Sequence, residues 1–253
     1  MSKIAITGAS GLIGSALVGD LRAKGHEVLR LVRRPVASAD EVQWDPKNEN
    51  IDIASLAGVN AVINLAGAGV GDKRWTSLYK NEILNSRVSS TRTIAKAVEE
   101  LKPDVFISAS AIGWYGETGD RAVTEADRGG DDFLAGVCEQ WEAAADLAPS
   151  VRTVKMRIGV ILDPTGGALG KMLPLFKFGV GGKLGSGKQW WSWITLHDQI
   201  RAIQFLIDSD LSGAVNTTAP NPATNSEFTA ALARALHRPA LLPVPGIALK
   251  LAL

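Results

Sequence analysis

Three glycines at fixed intervals carry the first chemical possibility in this chain. Gly8, Gly11 and Gly14 stand between the apolar run Ile4-Ala5-Ile6 and the segment Ser15-Ala16-Leu17-Val18-Gly19-Asp20-Leu21, whose apolar residues recur at helical spacing. A strand that turns abruptly into a helix needs glycine, because bulkier residues resist the required dihedrals. The helix start then offers the backbone of Ser10, Gly11, Leu12, Ile13 and Gly14 to a phosphate, and the helix dipole favours negative charge there. Gly14 falls on the first helical turn, where a missing side chain lets helix and sheet pack closely. The spacing G-x-x-G-x-x-G also suits a glycine-rich turn with no ligand; its place between a strand and a helix favours dinucleotide binding.

A second pair of residues bears on which dinucleotide. The segment Glu27–Val32 reads as the second strand, and Arg33 and Arg34 follow it. About 20 positions beyond the glycine motif an acidic residue suits the ribose hydroxyls of NAD, whereas an arginine suits a 2′-phosphate. A guanidinium also matches phosphate geometry with its fork of donors, so NADP(H) is the cofactor the residues favour over NAD. A solvated basic loop is the alternative. Residues 61–67 form a further apolar strand ending in Leu65, Ala66 and Gly67, small enough at its tip for a backbone to pass near a cofactor. Cys138 is a nucleophile only if its thiolate is stabilised; otherwise it is a small hydrophobe on a helix.

These residues need a frame, and the patterning supplies one. Residues 42–44 read as a short strand, 75–101 as one long helix or two stopped by Lys102-Pro103, 105–108 as a strand, and 119–130 as a loop. A helix over 133–147 precedes Pro149, and a strand follows over 151–161. Strands alternating with helices behind a phosphate-binding turn predict a doubly wound parallel α/β sheet of the Rossmann type. After Leu162 glycine and proline become frequent, then Trp190, Trp191 and Trp193 cluster, either as packing or as an aromatic wall of a pocket. Residues 197–207 look helical, Gly213–Thr217 returns as a strand, and Thr224-Asn225-Ser226-Glu227 opens a helix with a capping box. The expected division is a Rossmann domain over 1–162 with 196–218 returning to it, and a smaller C-terminal substrate lobe over 163–195 and 219–253. Residues 246–253 read as an apolar helix left unfinished, which suggests a truncated chain or a docked tail.

Composition narrows the classes. The 253 residues are 46% hydrophobic with a net charge of +1, enough for a sizeable core and without the basic excess that nucleic-acid binding needs. A single cysteine allows no internal disulfide, and the first strand begins almost at Met1 with no room for a signal peptide; both fit a reducing, cytoplasmic setting. No apolar stretch reaches membrane-spanning length, and no metal ligands are assigned. A small-molecule substrate is the expected partner, for a monomer or homodimer.

The motif Thr7-Gly8-Ala9-Ser10-Gly11-Leu12-Ile13-Gly14 resembles that of the extended short-chain dehydrogenases/reductases. Further blocks resemble their atypical, epimerase-like branch (nucleoside-diphosphate-sugar epimerase-like or cell-division-inhibitor-like): Asn64-Leu65-Ala66-Gly67, Ser86-Arg87, Ser108-Ala109-Ser110-Ala111-Ile112-Gly113-Trp114-Tyr115-Gly116, Trp141-Glu142-Ala143-Ala144-Ala145 and Arg157-Ile158-Gly159-Val160-Ile161-Leu162. The resemblance runs over essentially the whole chain and implies an NADP(H)-binding oxidoreductase or epimerase acting on a nucleotide-sugar or small carbonyl compound.

The resemblance also exposes a departure. The superfamily works with a Ser and a Tyr-x-x-x-Lys pair, in which Tyr is the general acid/base and Lys lowers its pKa. Ser110 keeps the Ser place, but no Tyr-x-x-x-Lys occurs: Tyr79 and Tyr115 are the two tyrosines, Leu134 takes the Tyr place, Cys138 the Lys place, and Arg87 stands where Asn would be. Ser110, Tyr115 and Cys138 are therefore the candidate catalytic residues. Tyr115 corresponds to a pocket-lining tyrosine of the family. Glu82 and Arg87 resemble cofactor-side residues, with a surface ion pair as the plainer alternative, and His197-Asp198 matches a structural helix start. The nicotinamide is expected near Gly67, Ser110, Tyr115 and Ile161. A cofactor-binding sensor without hydride chemistry is the rival reading that the missing pair favours.

Overall fold

The computed structural model describes residues 1–240. The segment 246–253, read above as an unfinished helix, lies outside them. Strands β1 (Lys3–Thr7), β2 (Glu27–Val32), β3 (Glu41–Asp45), β4 (Asn50–Ile51), β5 (Ala61–Asn64), β6 (Val105–Ala111), β7 (Thr153–Ile158) and β11 (Gly213–Thr217) form one sheet in the order β11-β7-β6-β5-β1-β2-β3-β4. All neighbours are parallel except β4, which runs antiparallel to β3. Helices α1 (Leu12–Ala23), α2 (Ser77–Leu101), α3 (Phe133–Ala145) and α5 (Leu196–Asp208) cover the sheet, so its strands are buried on both faces and read as continuous apolar runs.

Alternation along each strand assigns its residues to two cores. Ile4, Ile6, Ile63, Ile107, Val154 and Met156 pack on one side with Leu17 and Leu21 of α1 and Ile200, Ile203 and Leu206 of α5. Ala5, Val62, Phe106, Leu29 and Leu31 pack on the other with Ile94, Ala95 and Val98 of α2 and Ala145 at the end of α3. The chain leaves β1 towards β2 on one side, then resumes at β5 on the other. The crevice beyond the carboxyl ends of β1 and β5 is therefore the place where such a sheet takes a ligand.

Four boundaries differ from the sequence reading. Residues 75–101 form a single helix from Ser77, with Lys102 in the left-handed region at φ 50° to stop it. The strand expected over 61–67 leaves the ladder after Asn64, because the Leu65 and Ala66 amides donate to Thr7 Oγ1 at 3.1 and 3.2 Å. The strand expected over 151–161 breaks at Gly159. There Gly159 N donates to Thr217 O, Val160 N donates to Ser192 O, and β8 (Val160–Asp163) leaves the sheet to pair with β10 (Trp193–Thr195). The glycine-rich stretch after Leu162 contains a helix, α4 (Gly167–Lys177), that glycine and Pro174 concealed.

Of the three tryptophans, Trp190 is exposed and Trp191 and Trp193 are half-buried. β9 (Trp190–Trp191) pairs with β12 (Ala223–Thr224), which leads into α6 (Asn225–Leu236). The Trp191 ring lies 4.8 Å from that of Phe228, and Trp190 Nε1 donates to Asp120. The capping box forms as the sequence predicts, with Thr224 and Glu227 each reaching the other's backbone. His197 is exposed beside Asp198. Among the described residues no helix is long and apolar enough to cross a membrane.

The break at Gly159 generates a prediction. A Cβ there would sit 2.7 Å from Ser192 O and 3.0 Å from Thr218 Cγ2. Gly159→Ala should therefore destabilise the protein by about 1–3 kcal/mol, read as a lower denaturant midpoint at unchanged slope.

Candidate functional site

The turn after β1 is built so tightly that only glycine fits it. Gly8 has φ +66°, and a Cβ on it would lie 2.6 Å from Leu65 O; a Cβ on Gly14 would lie 2.2 Å from Gly8 O. Gly11 N donates back to Gly8 O at 3.0 Å, and Ser15 N to Gly11 O at 2.9 Å. The amides of Leu12, Ile13 and Gly14 head the helix and have no partner within it. Gly11 is the N-cap, with no side-chain cap and no acidic residue in the first turn. By contrast α2, α3, α5 and α6 are capped by Thr76, Asp132, Thr195 and Thr224. Ser10 and Gly11 are exposed, so an anion has access to these donors.

The end of β2 carries a charge cluster of which the sequence reading named one half. Arg34 forks onto Glu41 at 2.8 and 2.6 Å, and Arg30 binds Asp40 at 2.7 Å and Glu41 at 3.0 Å. Arg22 also reaches Asp40. The Ala37 amide adds a bond to Glu41, whose side chain is 1% exposed. Arg34 first, and Ala37 after it, hold the Glu41 carboxyl at about 2, below its ordinary 4.5. Arg33 is exposed and makes no ion pair among the described residues. Asp40 and Glu41 were missed because they precede and begin β3, away from the arginines in sequence.

Beyond β5, Leu65, Ala66 and Gly67 run past the turn. A Cβ on Gly67 would press at 3.3 Å on the Arg87 side chain. Arg87 lies over the Trp141 ring at 5.0 Å and donates to Ile83 O, and burial lowers its pKa. Glu82 is exposed on the same helix and makes no ion pair with Arg87; it lines an open groove of about 600 Å³ with Ala68, Gly69, Asp72, Lys73, Thr76, Leu78 and Tyr79. Ile161 is half-buried on β8 opposite Ile194.

Beyond β6 and β7 the structure brings Ser110 and Tyr115 into one network, through residues not singled out as catalytic from the sequence. Ser110 Oγ donates to Glu142 Oε1 at 2.6 Å. Arg157 forks onto Glu142 at 2.8 and 3.0 Å and donates from Nη1 to the Tyr115 hydroxyl at 3.1 Å. Tyr115 passes its own proton to Asn216 Oδ1 at 2.7 Å. Arg157 lies 4.1 Å from the Trp114 ring centre, and Glu125 closes the network by accepting from Asn216 N. Burial alone would lower Arg157, but its hydrogen bonds to Glu142 and Tyr115 outweigh that and leave it raised. Arginine can only donate, and an ionised carboxylate can only accept. Both hydroxyl protons are thus committed inside the protein. No local signal marked the pair, since Lys155 shares β7 with Arg157 and Glu139 shares α3 with Glu142; only the fold buries this arginine and this carboxylate and so requires them to pair.

Cys138 is buried on α3. Burial, together with the Glu142 charge, pushes its thiol up to about 11, and Sγ faces Ala111 O at 3.7 Å. The group is protonated near neutral pH, which is the setting of a packing cysteine and not of a nucleophile.

Comparison with known proteins follows the same outline. The model of the NAD-dependent epimerase/dehydratase family matches residues 4–132. Epimerase family protein Mb2239 of Mycobacterium bovis is 46% identical over 252 residues, covering 98% of this chain and 84% of the relative. The chloroplastic SDR39U1 homolog of Arabidopsis thaliana is 38% identical over 260 residues, covering 98% and 74%. The crystal structure of human epimerase family protein SDR39U1 (isoform 2) with NADPH superposes with a TM-score of 0.91 at 34% identity, over 99% of this chain and 85% of that one.

Two stability predictions arise from the charges. With side chains 4% and 6% exposed, the Arg157–Glu142 pair is buried. Arg157→Met, by stranding Glu142, should cost about 3–5 kcal/mol in urea unfolding, and adding Glu142→Leu should recover most of it. Glu41 titrates lower folded than unfolded, so its contribution is whole above about pH 4.5 and is lost as pH falls towards 2. Glu41→Gln should therefore shrink the drop in unfolding midpoint between about pH 5 and about pH 3.

Proposed function

Because this chain belongs to the NAD-dependent epimerase/dehydratase family, we propose that it binds NADP(H) across the carboxyl ends of β1 and β5. The observation that carries this is the start of α1: exposed, without a side-chain cap, free of acidic residues, and preceded by a turn too tight for any Cβ. The pyrophosphate rests on the backbone of Ser10, Gly11, Leu12, Ile13 and Gly14. The 2′-phosphate lies against Arg33 and Arg34. The nicotinamide points past Leu65, Ala66 and Gly67 towards Ser110, Tyr115 and Ile161, with Arg87 and Glu82 on the cofactor side. The human relative crystallised with NADPH supports this cofactor. The near-neutral charge balance lacks the basic excess of a nucleic-acid binder.

On this reading the protein is an epimerase-like oxidoreductase of the short-chain dehydrogenase/reductase type, acting on a nucleotide-sugar or small carbonyl compound as a monomer or homodimer. Bound NADP(H) supplies the hydride exchange. The chain positions it and excludes water. Residues 163–195 and 219–240 form the substrate lobe against the sheet domain, and a cytoplasmic location suits the single, buried cysteine.

A second reading has its own observation. Ser110 donates its one hydroxyl proton to Glu142, and Tyr115 donates its own to Asn216. Neither is free to protonate or polarise a substrate carbonyl oxygen. That arrangement favours a protein that holds NADP(H) as a sensor or interaction module. Turnover of reduced nicotinamide with a carbonyl and sugar-nucleotide panel, lost on Ser110→Ala, supports the enzyme; ligand-dependent partner binding without turnover supports the sensor.

The cofactor itself is tested first. Calorimetric titration should give an NADPH affinity at least about tenfold above that of NADH, a gap of about 1.4 kcal/mol. Equal affinities would remove the 2′-phosphate assignment, and no binding of either would remove the function.

A further inference from the structure

The cluster at the end of β2 contains a buried carboxylate with no evident reason to sit in a site for an anion. Glu41 has a side chain 1% exposed, yet Arg34, which it grips, is 54% exposed. The donors of Arg34 can be counted. A guanidinium has five N–H groups. One N–H of Nη1 goes to Glu41 Oε2 at 2.8 Å, and the other to Pro35 O at 2.9 Å. One N–H of Nη2 goes to Glu41 Oε1 at 2.6 Å. Among the described residues, Nε–H and the second N–H of Nη2 are left over. They lie side by side on one edge of the plane, and that edge is itself a two-donor fork of the kind that meets two phosphate oxygens.

Charge points the same way. Among the described residues, Arg22, Arg30 and Arg34 are paired with only two carboxylates, Asp40 and Glu41, and the exposed Arg33 next to Arg34 in sequence adds a second positive charge in excess. A phosphate monoester dianion matches it. Glu41 is itself held by the Ala37 amide and by Arg30, so the grip on Arg34 is anchored in the backbone and does not swing with the arginine.

We propose that Glu41 is a positioning residue for cofactor choice: it fixes Arg34 with its Nε–Nη2 edge presented to the 2′-phosphate of NADP(H). The carboxylate does not touch the ligand. Its effect is to hold the long arginine side chain in one orientation before the ligand arrives, so that less rotamer freedom is lost on binding. The inference rests on the NADP(H) reading above and extends it to a residue that reading does not use.

Calorimetric titration of the intact chain with NADPH and NADH tests it, in wild type, Arg34→Ala, Arg34→Lys and Glu41→Gln. In Arg34→Ala the NADPH preference should fall about tenfold, with NADH affinity unchanged within about twofold. Arg34→Lys should lose nearly as much, because a lysine keeps the charge but has no edge to present. Glu41→Gln should lose about fivefold in NADPH affinity alone, a selective change that general loosening of the fold would not produce. If Glu41→Gln retains the full preference while Arg34→Ala loses it, Arg34 needs no positioning and the inference falls. It falls equally if Glu41→Gln binds NADPH more tightly, which would make the carboxylate a competitor. Full preference in Arg34→Lys or Arg34→Ala overturns it too, and these exposed-site variants decide the matter if Glu41→Gln does not fold. A wild type that does not discriminate is a different failure, that of the NADP(H) reading beneath.

Discussion

The approach of the first turn to Leu65 sets the geometry of everything at this end of the sheet. A backbone carbonyl stands where a methyl group on Gly8 would be, and the Gly8 carbonyl stands where one on Gly14 would be. Such contacts leave no slack. They bring the start of α1 down onto the strand ends, and they fix where Leu65, Ala66 and Gly67 pass. Thr7 completes the joint from the opposite side: its hydroxyl donates to Asn64 and accepts from the two amides that follow it. Helix, turn and neighbouring strand are therefore one rigid unit. The helix reaches that position with its leading amides unclaimed by any side chain, a cost that an incoming anion relieves.

Charge, not apolar packing, organises the two flanks of that unit. At the β2 end the carboxylates of Asp40 and Glu41 hold three arginines, and the cluster is open to water on the arginine side. At the β6 and β7 ends the arrangement is inverted: one arginine and one carboxylate are both buried, and Ser110, Tyr115, Asn216 and Glu125 are bonded around them. The open cluster has unused donors and net positive charge, the properties of a binding surface. The closed one is tightly interlinked, and such a network resists rearrangement because each member removed strands another. Binding and chemistry are thus supported very unequally by this chain.

Most of the fold was legible because its strands are covered on both faces. Continuous apolar runs such as Ile4 to Ile6 and Val105 to Ile107 admit few other placements, and the capping box at Thr224 needs only local residues to form. What escaped depended on distant partners. The strand through Gly159 breaks because Thr217 and Ser192 compete for consecutive amides, and neither is near in sequence. Helix α4 survives its glycines and Pro174 through packing on β8, which local propensity does not record. The candidate site divided along the same line. The glycine turn is local, and its tight strand-to-helix geometry was readable. Glu41, Glu142, Arg157 and Asn216 act only through residues brought beside them by the sheet, so their types were visible and their roles were not.

The buried pair also alters what the absence of a Tyr-x-x-x-Lys arrangement means. Leu134 and Cys138 occupy those places on α3, and one turn beyond Cys138 the same helix carries Glu142 into contact with Ser110. Both oxygens of that carboxylate already accept from Arg157. Ser110 is equally constrained, because turning its proton towards a ligand leaves a buried carboxylate short of one donor. For hydride chemistry to occur here, a substrate must either bring its own donor to the Ser110 oxygen or displace the contact with Glu142. The missing lysine is thus only part of the departure. The other part is a serine whose hydroxyl proton is held by a buried charge pair, so that towards a ligand it is left an acceptor.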